Sequence, residues 1–290
     1  MAATTRTARK LVEGTGVALD ELLHRSAAFV TDAANISRGD GDLLEPLVFA
    51  AIVQANIAPS RNQPERKRLD AAGEALPDEI RRPISIYAVA NSLALPYETV
   101  RRRVLALVEA GRCVLTPDGA YVPREVIVSP AHMSIQAARL QRLQRFHDEL
   151  VGIGVLQAGE SLPGPLPSSH MRPVNTVLSE FMLRTADRMV ALTGELMSGL
   201  VLLAMWSTGP GAPPCPSLRL STQLGMPRER VRRRLMELGR MGFVRQLKEG
   251  WVTQTPSAQR QALEALAAAN EAEVRRLFAR LRDIAARPAA

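Results

Sequence analysis

Apolar positions recur with a period near 3.6 over most of this chain and give way only briefly to short β-type runs. The helical pattern is clear at Leu43–Gln54 and again at Leu196–Ser207, each followed by a shorter segment, Ile86–Leu93 and Leu218–Leu224. Pro96 and Pro227 suit the first turn of a third helix, where a missing N–H costs nothing. In that helix Val104, Leu107, Val108 and Gly111 fall within about 80° of Val100, so one apolar stripe packs inward. Gly111 and Gly242 close these helices, and the runs Cys113–Leu115 and Ala120–Val122, joined by Thr116-Pro-Asp-Gly119, predict a small hairpin. Further helices are expected at 25–37 and 178–192 before these units, and at 134–152 and 258–285 after them. The longest apolar stretch, Gly199–Trp206, is far shorter than the ~20 residues of a membrane span, so no membrane segment is expected.

The pattern is duplicated. Leu95-Pro-Tyr-Glu-Thr-Val-Arg-Arg-Arg-Val104 aligns with Met226-Pro-Arg-Glu-Arg-Val-Arg-Arg-Arg-Leu235 at an offset of 131 (226 − 95), and the register continues through Gly119/Gly250. Upstream, Leu43–Val48 pairs with Leu196–Val201 at an offset of 153 (196 − 43), so the first copy carries an insertion of 22 residues (153 − 131). That insertion, within 57–82, contains Arg61-Asn-Gln-Pro-Glu-Arg-Lys-Arg68 and reads as a solvated loop with a helical piece rather than a separate site. Four prolines and two glycines between Gly159 and Pro173 have linker chemistry. The chain divides accordingly into a flexible basic arm (1–19, with Arg6, Arg9 and Lys10), a first unit (20–155), a linker (156–174) and a second unit (175–290) ending in a long helix.

Composition narrows the function. A net charge of +8 suits a polyanionic partner, while 4% aromatic residues provide few platforms for stacking single-stranded bases. Two cysteines, Cys113 and Cys215, make neither a disulfide framework nor a metal motif and suggest a reducing compartment. The N-terminus lacks the apolar run of a secretory signal, so a cytoplasmic protein is expected. Glycine-rich phosphate loops and clustered carboxylates are missing, and His24, His132, His147 and His170 are scattered, so neither catalysis nor a cofactor is expected.

A helix, a helix-turn-helix and a hairpin in that order describe a winged helix. The expected fold is therefore mainly α with small β-hairpin wings: two tandem winged helix-turn-helix domains with flanking helices. Glu98-Thr-Val-Arg-Arg-Arg-Val-Leu-Ala-Leu107 and Glu229-Arg-Val-Arg-Arg-Arg-Leu-Met-Glu-Leu238 resemble the recognition helices of bacterial winged-helix regulators of the GntR and Crp types. The long helices after each hairpin are more similar to MarR-type regulators, which dimerise through such helices. The resemblance implies a nucleoid-associated transcriptional regulator of double-stranded promoter DNA, in which one chain supplies both halves of a dimer or pairs further as a homodimer. Plasmid-type replication initiators and tandem winged-helix assembly scaffolds are the alternatives.

Successive arginines at 101, 102 and 103 lie about 100°, 200° and 300° from Val100, so they cannot share one direction. Arg102 and Arg233 point straight out and are the candidates for base-edge contact; Arg101 and Arg232 would reach phosphates. Arg103 and Arg234 sit beside the apolar stripe, where a stem laid over the core edge and a DNA contact are both open. Glu98 and Glu229 are spaced to pair with Arg102 and Arg233. At the leading end of the helix, Tyr97 and Thr99 match Arg228 and Arg230. Lys248 at the second hairpin tip is either a DNA contact or ordinary surface charge. Residues 95–119 carry four basic and three acidic side chains against eight and three in 226–250, so the second unit should dominate electrostatic affinity. Recognition helices in successive major grooves, reading an imperfect inverted repeat, complete the expectation.

Overall fold

The computed structural model describes residues 21–39, 41–157 and 159–286. The expected basic arm, with Arg6, Arg9 and Lys10, lies outside these residues, as do the last four positions assigned to the second unit. The described chain is mainly helical with two small antiparallel sheets.

The first unit contains α1 (21–38), α2 (Leu44–Ile57), α3 (Pro64–Ala71), α4 (Ile86–Ser92), α5 (Tyr97–Glu109), the hairpin β1 (Val114–Thr116) and β2 (Gly119–Tyr121), the short α6 (Arg124–Val128), and α7 (Pro130–Gly152). The second contains α8 (Met171–Thr193), α9 (Leu196–Trp206), α10 (Ser217–Leu224), α11 (Arg228–Arg240), β3 (Val244–Gln246), β4 (Trp251–Thr253) and α12 (Arg260–Ala285). Local signals explain several boundaries. Ser85 caps α4 by accepting the Ala88 amide at 3.1 Å, and Ser129 caps α7 from His132 at 3.2 Å, with Pro130 at its first position.

The internal repeat persists in three dimensions. Val114 pairs with Tyr121 and Val244 with Thr253, and beside each hairpin one further residue forms an antiparallel bridge, Ile84 to Ala120 and Cys215 to Trp251. These bridging pairs are themselves 131 residues apart. Gly119 and Gly250, at positive φ, lie so close to that extra strand that an added Cβ would sit 2.3 Å from the Ile84 carbonyl oxygen or 2.6 Å from that of Cys215. The turn between the short helix and the third helix also needs a left-handed residue. The second copy uses Gly225 (φ 63°), whereas its counterpart Ala94 (φ 50°) adopts that conformation with a side chain.

The linear division into two units is not a division in packing. Buried residues of both units join one hydrophobic core rather than forming a core in each. At its centre Phe29 of α1 stacks on Phe146 of α7 (centroids 4.3 Å apart), with Phe181 of α8 and Phe278 of α12 each 6.1 Å from one of them. Each leading helix also reaches the opposite unit. His24 of α1 meets the Trp206 carbonyl of α9 at 2.7 Å, while α8 packs along α2, where Gln54 donates to the Thr176 carbonyl at 2.9 Å.

Two sequence expectations require correction. The insertion contains the expected helical piece, α3, and much of it is exposed, but it is docked rather than free: Arg66, Leu69, Ala75, Leu76 and Arg81 are buried, because α3 and the segment after it fold back over α2 and α7. The 156–174 segment is not a free linker either. Leu156, Leu162 and Leu166 are buried, the Leu162 amide donates to His147 Nε2 at 3.0 Å, and α8 already begins at Met171. Among the described residues no single helix is both long and apolar enough to cross a membrane.

Candidate nucleic-acid interface

Helices α5 and α11 each follow a short helix and a tight turn, and each buries one stripe: Val100, Val104 and Leu107 in α5, Val231, Leu235 and Leu238 in α11. The stripe packs on α2 or α9 and turns the opposite face of each helix outward.

On that outer face Arg102 leaves 72% of its side chain exposed, with only two long contacts to Glu98, 3.4 Å to its carbonyl and 3.8 Å to its carboxylate. Arg233 is exposed and has no ion pair among the described residues. Arg228 and Arg230 are exposed at the start of α11, with Arg228 donating to Ser217 Oγ at 3.3 Å. At the equivalent end of α5, Tyr97 is half exposed and Thr99 is partly buried. Lys248 is exposed near the tip of the second hairpin, and the first has no cation there.

The acidic partners match the expected ones only in part: the Glu98–Arg102 ion pair forms but is long, and Glu229 forms none with Arg233. Glu98 binds Arg101 through two oxygens at 2.9 and 3.0 Å and stays 3.8 Å from Arg102. Glu229 likewise binds Arg232 at 3.0 and 3.1 Å rather than Arg233. The bidentate fork forms one residue earlier than the expected spacing, and these bonds hold both carboxyls below the usual carboxylate range. Arg101 and Arg232 are thus tightly engaged, while Arg102 keeps only the longer pair and Arg233 has none among the described residues.

Arg103 and Arg234 take the core-edge alternative. Arg103 pairs with the buried Asp42 just before α2; Arg234 pairs with Glu195, just before α9, and with Glu237 at 2.7 Å. Asp42 and Glu195 are equivalent at the 153-residue offset, so both copies use the third arginine to tie the outward-facing helix to its scaffold. The loop carrying Asp42 also touches the opposite unit. The Leu43 amide donates to the Leu224 carbonyl at 3.2 Å, and Arg38 reaches the Thr222 carbonyl at 3.2 Å, beside the turn into α11.

Charge is distributed unequally between the copies. Around α11, Arg219, Arg240 and Arg245 are exposed in addition to the four arginines and Lys248 already named. Across 95–119 Arg112 pairs with Glu45 at 2.6 Å and lies over the Phe49 ring, Arg101 is held by Glu98, and the most exposed cation, Arg102, has the same carboxylate at 3.8 Å. Arg219 and Arg245 were not selected from sequence, although the outward side of a short strand and the polar face of α10 were readable there. Both cysteines are buried, and burial raises their thiol pKa values, that of Cys113 to about 11. Compared with models of protein families, with curated proteins and with solved structures, the chain has no match.

Proposed function

We propose that this chain is a sequence-specific double-stranded DNA-binding transcriptional regulator, in which each unit acts as a winged helix and α5 and α11 are the recognition helices. The observation that carries this reading is the duplicated third helix with an exposed outward arginine, Arg102 in one copy, held only by a long 3.8 Å ion pair, and Arg233 in the other, without an ion pair among the described residues. An exposed guanidinium on the outer face of such a helix suits the paired acceptors of guanine, a contact of ~1–3 kcal/mol. The neighbouring arginines, each held by a glutamate three residues earlier, keep their positive ends at the surface for phosphates.

In this reading the second unit anchors the duplex and the first adds selectivity, since free cations concentrate around α11. The shared core and the contacts of the Asp42 loop with both units favour the two helices acting as one body, as in a dimer written into one chain. Such a regulator would reside with the nucleoid. Selection of binding sites from random duplexes by the purified protein tests the reading: an enriched motif is expected, and the absence of enrichment at moderate salt would contradict it.

A further inference from the structure

The packed insertion lines a cavity of about 100 Å³ between α2, α3, α7 and α8. Its apolar wall includes Phe49, Val53, Ile57, Ile135 and Met182. Its polar wall is unusual in what it leaves unmet. Arg139 of α7 is 8% exposed, and its guanidinium has only Ser179 Oγ and Met182 Sδ as partners, both at 3.3 Å. Nε of Arg139 is without a partner, and no carboxylate pairs with this side chain among the described residues. Three side-chain amide oxygens on the same wall, of Gln54, Gln136 and Asn175, also lack donors.

A buried cation without a counter-charge costs several kcal/mol and is ordinarily paired. Three other cations at this cavity have carboxylate partners: Arg66 holds Asp70 at 2.9 Å, Arg112 holds Glu45, and Arg81 lies 3.3 Å from Asp78; Arg172, only partly buried, bonds the Gly73 carbonyl and Met133 Sδ instead. Arg139 is the one that is buried with neither a carboxylate nor a backbone carbonyl among the described residues, and water can meet the amides but brings no charge. We propose that this cavity is a binding site for a small hydroxycarboxylate, its carboxylate on Arg139 beside Ser179, its hydroxyl donating to the Gln136 or Asn175 amide oxygen, and its carbon body against Phe49 and Met182. Size limits the body: a cavity of roughly 150 Å³ holds benzene, so this one takes about four or five carbons. A hydroxyl donor suits the site better than an ammonium, because the surroundings are already positive. His132 on the same wall is pushed down to about 4 by burial and by Arg139, Arg112 and Arg172.

The site does not depend on the DNA-binding reading, and its test contains no DNA. Calorimetric titration and thermal unfolding of the full chain would use 2-hydroxyisovalerate, with isovalerate lacking the hydroxyl, valinamide lacking the carboxylate, and valine carrying an ammonium. Saturable binding and a raised Tm are expected for 2-hydroxyisovalerate, at least about fivefold weaker binding for isovalerate and valine, and none for valinamide. Arg139→Gln removes the unpaired charge, so the unliganded variant should melt no lower than the wild type while losing the response. Gln136→Leu, which keeps the cation, should bring 2-hydroxyisovalerate down to the affinity of isovalerate and serves if Arg139→Gln does not fold. No saturable binding of 2-hydroxyisovalerate up to about 10 mM, an equal response to valinamide, or undiminished binding in Arg139→Gln would overturn the proposal.

Discussion

Two adjacent arginines of α11 should respond to truncation in opposite ways. Arg234 is about one quarter exposed and binds Glu195 and Glu237, whereas Arg233 is exposed and unpaired. Arg234→Ala would strand Glu195, whose carboxyl burial already pushes above the usual range despite the arginine beside it. Losing one partner of a half-buried, charge-assisted pair costs about 2 kcal/mol. In a chain of 290 residues that lowers Tm by roughly 4 °C. Arg233→Ala removes no internal contact and should leave stability within about 0.5 kcal/mol. Its loss should appear on DNA as a ~5–150-fold weaker affinity for the selected sequence, the equivalent of ~1–3 kcal/mol. Calorimetric melting and fluorescence anisotropy on the same preparations separate the effects. A destabilised Arg233→Ala with unchanged DNA affinity, or an unaltered Tm in Arg234→Ala, would refute the assignment.

Three further outcomes follow from the packing. Phe146→Ala empties the centre of the four-phenylalanine cluster and should cost about 3–5 kcal/mol, with both units still melting in one transition because they share that core; two separated transitions in differential scanning calorimetry of the wild type would contradict the shared core. Ala94→Gly should stabilise by up to about 1 kcal/mol by relieving a left-handed alanine, whereas Gly225→Ala should destabilise by more, its Cβ lying 2.5 Å from the Gly41 carbonyl oxygen; denaturant midpoints check both, and equal effects would disprove the asymmetry. His132 has a folded pKa of about 4 against an ordinary 6.5, so the unfolded chain binds the extra proton between these values and stability falls as pH drops from about 6.5 to 4. The loss is on the order of 3 kcal/mol and should be reduced in His132→Phe; parallel pH–stability curves for the two proteins would exclude it.

Much of the local structure was legible because it rests on short-range rules. The apolar stripe from Val100 to Leu107 set the orientation of α5, and the same wheel turned Arg102 and Arg233 outward. The hairpins were legible within about one residue: Val114–Thr116 and Gly119–Tyr121 stand where Cys113–Leu115 and Ala120–Val122 were expected. Partners distant in sequence were not legible. Asp42 is 61 residues from Arg103, and nothing local distinguishes a guanidinium at a core edge from one aimed at solvent. Glu98 had Arg101 and Arg102 within reach, and the rotamer that favours the closer one is not written in spacing. The insertion misled because its charge is high, yet Arg66, Leu69, Ala75, Leu76 and Arg81 turn inward and dock it. Periodicity shows that α1 and α8 have apolar faces but not that each face lies partly against the opposite unit.

The central claim is that the unpaired cations around α11 bind duplex DNA. Its most direct test is the affinity of the full chain for a selected duplex across a salt series, beside a variant with Arg228, Arg230 and Arg233 changed to Ala. The account predicts that log K falls with log salt at a slope on the order of −4 to −6 for the wild type, and that the variant loses affinity and flattens that slope by about 2 to 3. A salt-independent affinity, or a variant that binds as tightly with the same slope, would contradict it.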